Sequence, residues 1–179
     1  MSDTGSTRVL DVPHENLSPE QEAGIKAVIG GRGWLPTPYK IWLHSPQLMH
    51  ALETLGTFIN KACSLKEREV ELGIVLVAHH WGGEYVQTAH VKRLRELGMS
   101  EDVIDDLTHG VTPDLSDARE RSICDLFTLS EAKDAGPDEI FDRAAQALGR
   151  NGLAEVLALF GYYSAVAIAM KIHRVPVPI

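Results

Sequence analysis

Apolar residues recur along most of the chain at the spacing of an α-helix. Leu48, Leu52, Leu55 and Ile59 form one stripe, Ile104 and Leu107 a short second one, and Ile123, Phe127 and Leu129 continue the pattern. Start signals precede these stripes. Ser18-Pro19-Glu20-Gln21 reads as a capping box with proline at the first helical position, Ser45-Pro46 repeats the cap and proline, and Ser64-Leu65-Lys66-Glu67 is a second box. Ser100, Ser116 and the Gly136-Pro137-Asp138-Glu139 segment mark further starts, while Gly30-Gly31, Gly98, Gly110 and Gly149 fall where helices should stop. Alternating strand patterns with hairpin turns are absent. The chain therefore reads as all-α, with about seven to nine helices by this count of starts and stops.

Two segments are apolar on most faces. Ile74 to Ala78 is β-branched enough to pass for a buried strand, but the apolar stretch Val70–Trp81 is too long for one and follows a capping box, so a central helix is expected. The second segment, Leu153 to about Ile172, should be the final helix. Its uninterrupted apolar run, Val156–Met170, is shorter than the ~20 residues that span a bilayer, so a buried helix is expected and not a membrane partner. A domain of this size can hardly bury two such helices alone, which points to a homo-oligomer. Residues 1–16 are polar, carry Gly and Pro, and read as a flexible arm; residues 17–179 read as one domain. Pro176 biases Val175 away from helix, so the tail should run along a surface or a partner subunit.

The formal charge of −8 disfavours nucleic acid and anionic membrane as partners, leaving a small molecule as the expected ligand. Cys63 and Cys124 stand far apart without a CxxC spacing, so they frame neither a disulfide network nor a zinc site. The start of the chain shows no secretory pattern, and a cytoplasmic location is expected.

Candidate chemistry concentrates between Glu71 and His90. On a helix over Glu67–Trp81, Glu71 falls in the first turns, with Val75, Ala78 and His79 on nearly the same face. Gly82-Gly83 allows a sharp turn, after which Val86, His90 and Leu94 share a face, with Gln87 adjoining. A carboxylate and an imidazole are thereby aimed at one helix–helix contact, where each shifts the proton affinity of the other. Tyr85 is the nearest hydroxyl in sequence, and Gln87, His79 and Trp81 are candidates to line a substrate pocket. The plainer alternatives are a satisfied core histidine, a solvated carboxylate at a helix start and a packing tyrosine. His79, His80, Glu84 and His90 match no metal-ligand spacing, so no metal is expected.

This stretch resembles the carboxymuconolactone decarboxylase family, which includes alkylhydroperoxidase-like proteins. The matching features are Glu71-Leu72, the apolar run, Gly82-Gly83-Glu84-Tyr85 and Ala89-His90, with the family's own separation between glutamate and histidine. Glu96 to Ile104 resembles the usual continuation, Ser45-Pro46-Gln47-Leu48 the segment before the motif, and the Val-Pro-Val-Pro tail many members' ends, so the likeness runs over roughly residues 30–179. The resemblance implies an alkylhydroperoxidase-like helical bundle assembled as a trimer or hexamer. The peroxidase branch carries a cysteine pair seven and four residues before the motif histidine; those positions are Gly83 and Val86 here. Cysteine-based peroxide reduction is therefore the least expected activity.

The decarboxylase branch needs no cofactor. For it the resemblance implies His90 as proton donor or shuttle and Glu71 as its orienting partner, while Tyr85 is placed by inference on the oxyanion. Where branch members commonly carry an acidic residue or tryptophan, this chain has Val86 and Gln87. The leading expectation is a cofactor-free, carboxy-lyase-like enzyme acting by acid–base chemistry on a small lactone or carbonyl acid, as in aromatic-compound catabolism. The alternative is a non-catalytic oligomeric ligand-binding protein of the same fold.

Overall fold

The computed structural model describes residues 6–9 and 16–177. Among them every regular element is helical: α1 (Pro19–Arg32), α2 (Thr37–Trp42), α3 (Pro46–Lys61), α4 (Glu67–Trp81), α5 (Glu84–Glu96), α6 (Glu101–Thr108), α7 (Ala118–Glu131) and α8 (Asp138–Ile172). The fold is an all-α bundle.

Several boundaries follow the cap chemistry of the sequence. The Ser18 hydroxyl accepts from the Gln21 N–H at 3.3 Å while the Gln21 amide accepts from the Ser18 N–H at 2.9 Å, a complete capping box. Others differ. Ser64 is not a cap, because its N–H and hydroxyl both donate to Glu155, at 2.8 and 2.6 Å. Helix α4 instead starts after Lys66, whose N–H donates to the Glu69 carboxylate at 2.9 Å. Asp117, not Ser116, caps α7, accepting from the N–H groups of Arg119 and Glu120. Gly30-Gly31 does not stop α1; the helix runs on to Arg32, and Gly33 closes it in the left-handed region at φ 81°.

Helix α4 is the hub, packing against α5, α7 and α8. Leu72, Ile74, Val75, Val77 and Ala78 are fully buried, each larger side chain contributing about 1.5–3 kcal/mol by leaving water. The contact with α8 is close enough that a Cβ on Gly73 would lie 2.9 Å from the Leu159 side chain. One chain thus buries α4 continuously from Glu69 to Val75, while Trp81 at its end stays 38% exposed. Helix α8 is longer than Leu153–Ile172 and starts at Asp138, with a break at Gly149 (φ 72°, ψ 167°). It is long and apolar enough to cross a membrane, yet half of its most apolar window is buried inside the fold, where Val156, Leu159 and Phe160 join the core.

Residues 1–5 and 10–15, most of the expected arm, lie outside the described residues, as do residues 178–179 of the tail. The described piece 6–9 rests on the end of α8, where the Arg8 N–H donates to the His173 carbonyl at 2.7 Å and its guanidinium to that of Ile172 at 3.3 Å.

Candidate active site

The turn between α4 and α5 folds back in two residues because Gly82 takes the left-handed conformation (φ 62°) and Gly83 has no side chain. A Cβ at Gly83 would lie 2.9 Å from the Ala167 Cβ and 3.3 Å from its Cα, so α5 starts pressed against α8. The helices α4 and α5 then lie side by side and bring Glu71 to His90. Glu71 Oε2 and His90 Nδ1 are 2.6 Å apart. Glu71 is buried at 7% exposure, while the His90 side chain keeps 24%. An ionised carboxylate has no proton to give, so Nδ1–H donates and Nε2 is the nitrogen left to take or deliver a proton.

Behind the imidazole stands Tyr163 of α8, edge-on at 5.5 Å between ring centroids and 83° between planes. Its hydroxyl donates to Asn60 Oδ1 at 3.2 Å, and the Asn60 amide donates to the Gly56 carbonyl at 2.7 Å. Burial pushes the Tyr163 hydroxyl far above its usual range, so it stays neutral and holds the ring wall in place. A cleft of about 200 Å³ opens at Glu71, lined also by Asn60, Cys63, Glu67 and Val70. One turn before His90, the Gln87 amide nitrogen is buried without a hydrogen-bond partner. An unpaired buried donor costs about 1–3 kcal/mol, and a ligand acceptor beside it would remove that cost.

Two residues before Glu71, Glu69 meets a different partner. Arg119 grips it through Nε at 2.7 Å and Nη2 at 2.9 Å and donates from Nη1 to the Ala147 carbonyl at 3.1 Å. Burial pushes the Glu69 carboxyl up, but the Arg119 and Lys66 N–H donors and their charges outweigh it and hold the group below the ordinary carboxylate range. With 1% exposure and three N–H donors on its two oxygens, Glu69 ties α4 to α7.

The remaining sequence candidates lie elsewhere. Tyr85 is about 140° around α5 from His90 and lines a cleft of about 260 Å³ with Lys171 and Arg174, so the ring beside the imidazole is Tyr163 and not Tyr85. Trp81 is 38% exposed and donates from its indole to the Ser164 hydroxyl at 2.8 Å, away from Glu71. His79 lies about 12 Å along α4 from Glu71 and faces a separate cleft with Gly110. Nothing in local sequence marked Tyr163, which is buried on α8, or Asn60, which is exposed near the end of α3. Among the described residues no three His, Cys, Asp or Glu side chains gather to hold a metal ion.

Both cysteines are unpaired thiols. Burial pushes Cys124 up to about 12 and raises Cys63 as well, so neither is poised as a thiolate. Val86, at a position where peroxidases of this fold carry a cysteine, is buried in the core.

Residues 46–128 match the model of the carboxymuconolactone decarboxylase family. This segment contains the whole Glu71–His90 unit. Similar solved structures include a protein of unknown function from Agrobacterium tumefaciens, provisionally named the antioxidant defence protein AhpD. It shares 18% identity at a TM-score of 0.66, covering 78% of this chain and 96% of its own. The debrominase Bmp8 shares 15% identity at a TM-score of 0.68, covering 97% and 93%. A cysteine-to-alanine variant of the same debrominase, holding 2,3,4-tribromopyrrole, matches equally well, at 15% identity and a TM-score of 0.68 over 97% and 92%. At these identities the likeness establishes the AhpD-like fold. No curated protein matches the sequence.

Proposed function

With residues 46–128 as a carboxymuconolactone decarboxylase-family segment in an AhpD-like bundle, we propose that Glu71 and His90 form the proton-transfer centre of a cofactor-independent, carboxy-lyase-like enzyme. The substrate class is a small lactone or carbonyl acid. The observation that carries this reading is the 2.6 Å contact between Glu71 Oε2 and His90 Nδ1, with Glu71 also lining a cleft and the His90 side chain 24% exposed.

In such a reaction the carbon–carboxylate bond breaks and its electron pair moves into the neighbouring unsaturated carbonyl system as a dienolate. Protonation at carbon then completes the turnover. Protonated His90 supplies that proton from Nε2, and the Glu71 carboxylate accepts from Nδ1–H, which orients the ring. The unpartnered Gln87 N–H is a donor for the oxyanion that develops on the carbonyl or lactone oxygen. Tyr163 and Asn60 position the imidazole. Half-exposed Leu157 and Phe141 on α8 are where a second copy would attach in a homo-oligomer.

Thiol peroxidase chemistry fits poorly. Gly83 and Val86 supply no sulfur, and a side chain at Gly83 would collide with Ala167. The test is carbon dioxide release, or deuterium uptake at carbon in heavy water, from a panel of unsaturated lactone acids and β-keto acids. Wild-type activity that disappears in His90→Ala supports the proposal. Equal release by His90→Ala on every active compound refutes it.

A further inference from the structure

A second cleft lies away from Glu71, walled by the C-terminal half of α4, the loop after α6 and helix α7. Its volume is about 310 Å³, at the small end of the range for ligand sites, which suits a single ring. Leu76, Leu107, Val111 and Phe127 supply apolar walls. Its polar lining includes one paired acid and imidazole. His80 Nδ1 is paired with Glu131, and the imidazole is wedged edge-on between Trp81 at 4.8 Å and Phe127 at 5.9 Å.

These contacts fix the ring and its tautomer. The His80 Nδ1–H donates to Glu131, so Nε2 is the nitrogen left to accept from a ligand. The neighbouring His79 is set by packing, since a Cβ on Gly110 would come within 2.6 Å of its Nε2. No lysine or arginine lines the cleft, and the one acid there is paired with His80. An anionic ligand would thus meet no unneutralised cation. The floor is the neutral Cys124 thiol, which burial keeps protonated.

From this geometry we propose that the cleft is a second ligand site, taking a neutral single-ring molecule whose hydroxyl donates to His80 Nε2. A phenol has this chemistry: the ring fills the space between Leu76, Leu107 and Phe127, and the hydroxyl proton meets an imidazole oriented by Glu131. The site stands independently of the Glu71–His90 reading, because it shares no residue with that pair.

The test titrates phenol, toluene and benzoate into the full-length protein while the histidine ring signals are followed by NMR. Phenol is expected to shift the His79 and His80 signals saturably, leave those of His90 in place, and bind about tenfold tighter than toluene. Replacing the partner acid, Glu131→Gln, should weaken phenol several-fold and leave toluene unchanged, with thermal unfolding confirming that the variant is folded. Toluene binding as tightly as phenol would reduce the site to an apolar crevice and overturn the proposal. Tighter benzoate binding would make it an anion site, and movement of the His90 signals alone would place phenol at the other pair; either result also overturns it.

Discussion

Glu69 and Glu71 sit two residues apart on one helix and are both buried, yet their surroundings assign them different work. Glu69 faces a guanidinium that never gives up its proton, in a bidentate clasp joined by the Lys66 N–H. Glu71 faces an imidazole, the one side chain whose charge changes near neutral pH, through a single contact beside an open cleft. A fixed partner makes a carboxylate a strut. A titrating partner makes it part of a proton path. Burial alone separates these roles poorly; the partner's chemistry separates them well.

The largest change should come from removing the titrating partner. His90→Ala should lower turnover about 100- to 10,000-fold, the usual worth of a positioned acid–base group. Some stability should be lost as well, because the 9%-exposed Glu71 carboxylate is left without its partner, so the rate is read per folded molecule. A melting temperature that falls while the rate per folded molecule holds would reverse the assignment.

Removing the strut should do the opposite. Glu69→Ala leaves Arg119 facing an empty pocket and should cost about 3 kcal/mol in denaturant unfolding, the low end for a broken buried pair because Arg119 is 25% exposed. The pH dependence has a defined sign. Glu69 is held below its unfolded pKa, so its stabilisation is present above that pKa, near 4.5, and is lost as pH falls through the folded value. Wild type should therefore lose stability in acid more steeply than Glu69→Gln, measured as melting temperature from pH 6 down to pH 3.

The smallest effect concerns the turn that delivers His90. Gly83→Cys with Val86→Cys should destabilise the fold by about 1–3 kcal/mol through overpacking against Ala167, and Ala167→Gly should recover much of it. Peroxide consumption by the cysteine variant should not rise above that of wild type. A clear rise would show that the site still accepts thiol chemistry.

Much of this comparison can be read from sequence on the α4–α5 side and little of it elsewhere. The apolar periodicity, the Gly82-Gly83 break and the helical register are local properties, and together they bring Glu71 to His90. Partners from distant helices are different, because periodicity says which face of a helix is buried but not what covers it. Arg119 is fifty positions from Glu69, and Tyr163 is 103 from Asn60, so neither pairing has a local signature. Tyr85 drew attention through proximity in sequence, and the helical turn carries it to the wrong side. Ser64 had the pattern of a cap, but the competing acceptor Glu155 on α8 takes both its donors.

The most direct test is the deuterium-uptake rate per folded molecule in Glu69→Gln and Glu71→Gln, measured side by side on a compound that wild type turns over. The expected result is a near wild-type rate for Glu69→Gln and a loss of about 10- to 100-fold for Glu71→Gln, the scale for removing a partner that orients a working imidazole. Equal rates in the two variants, or a loss confined to Glu69→Gln, would contradict the division of labour between the two carboxylates.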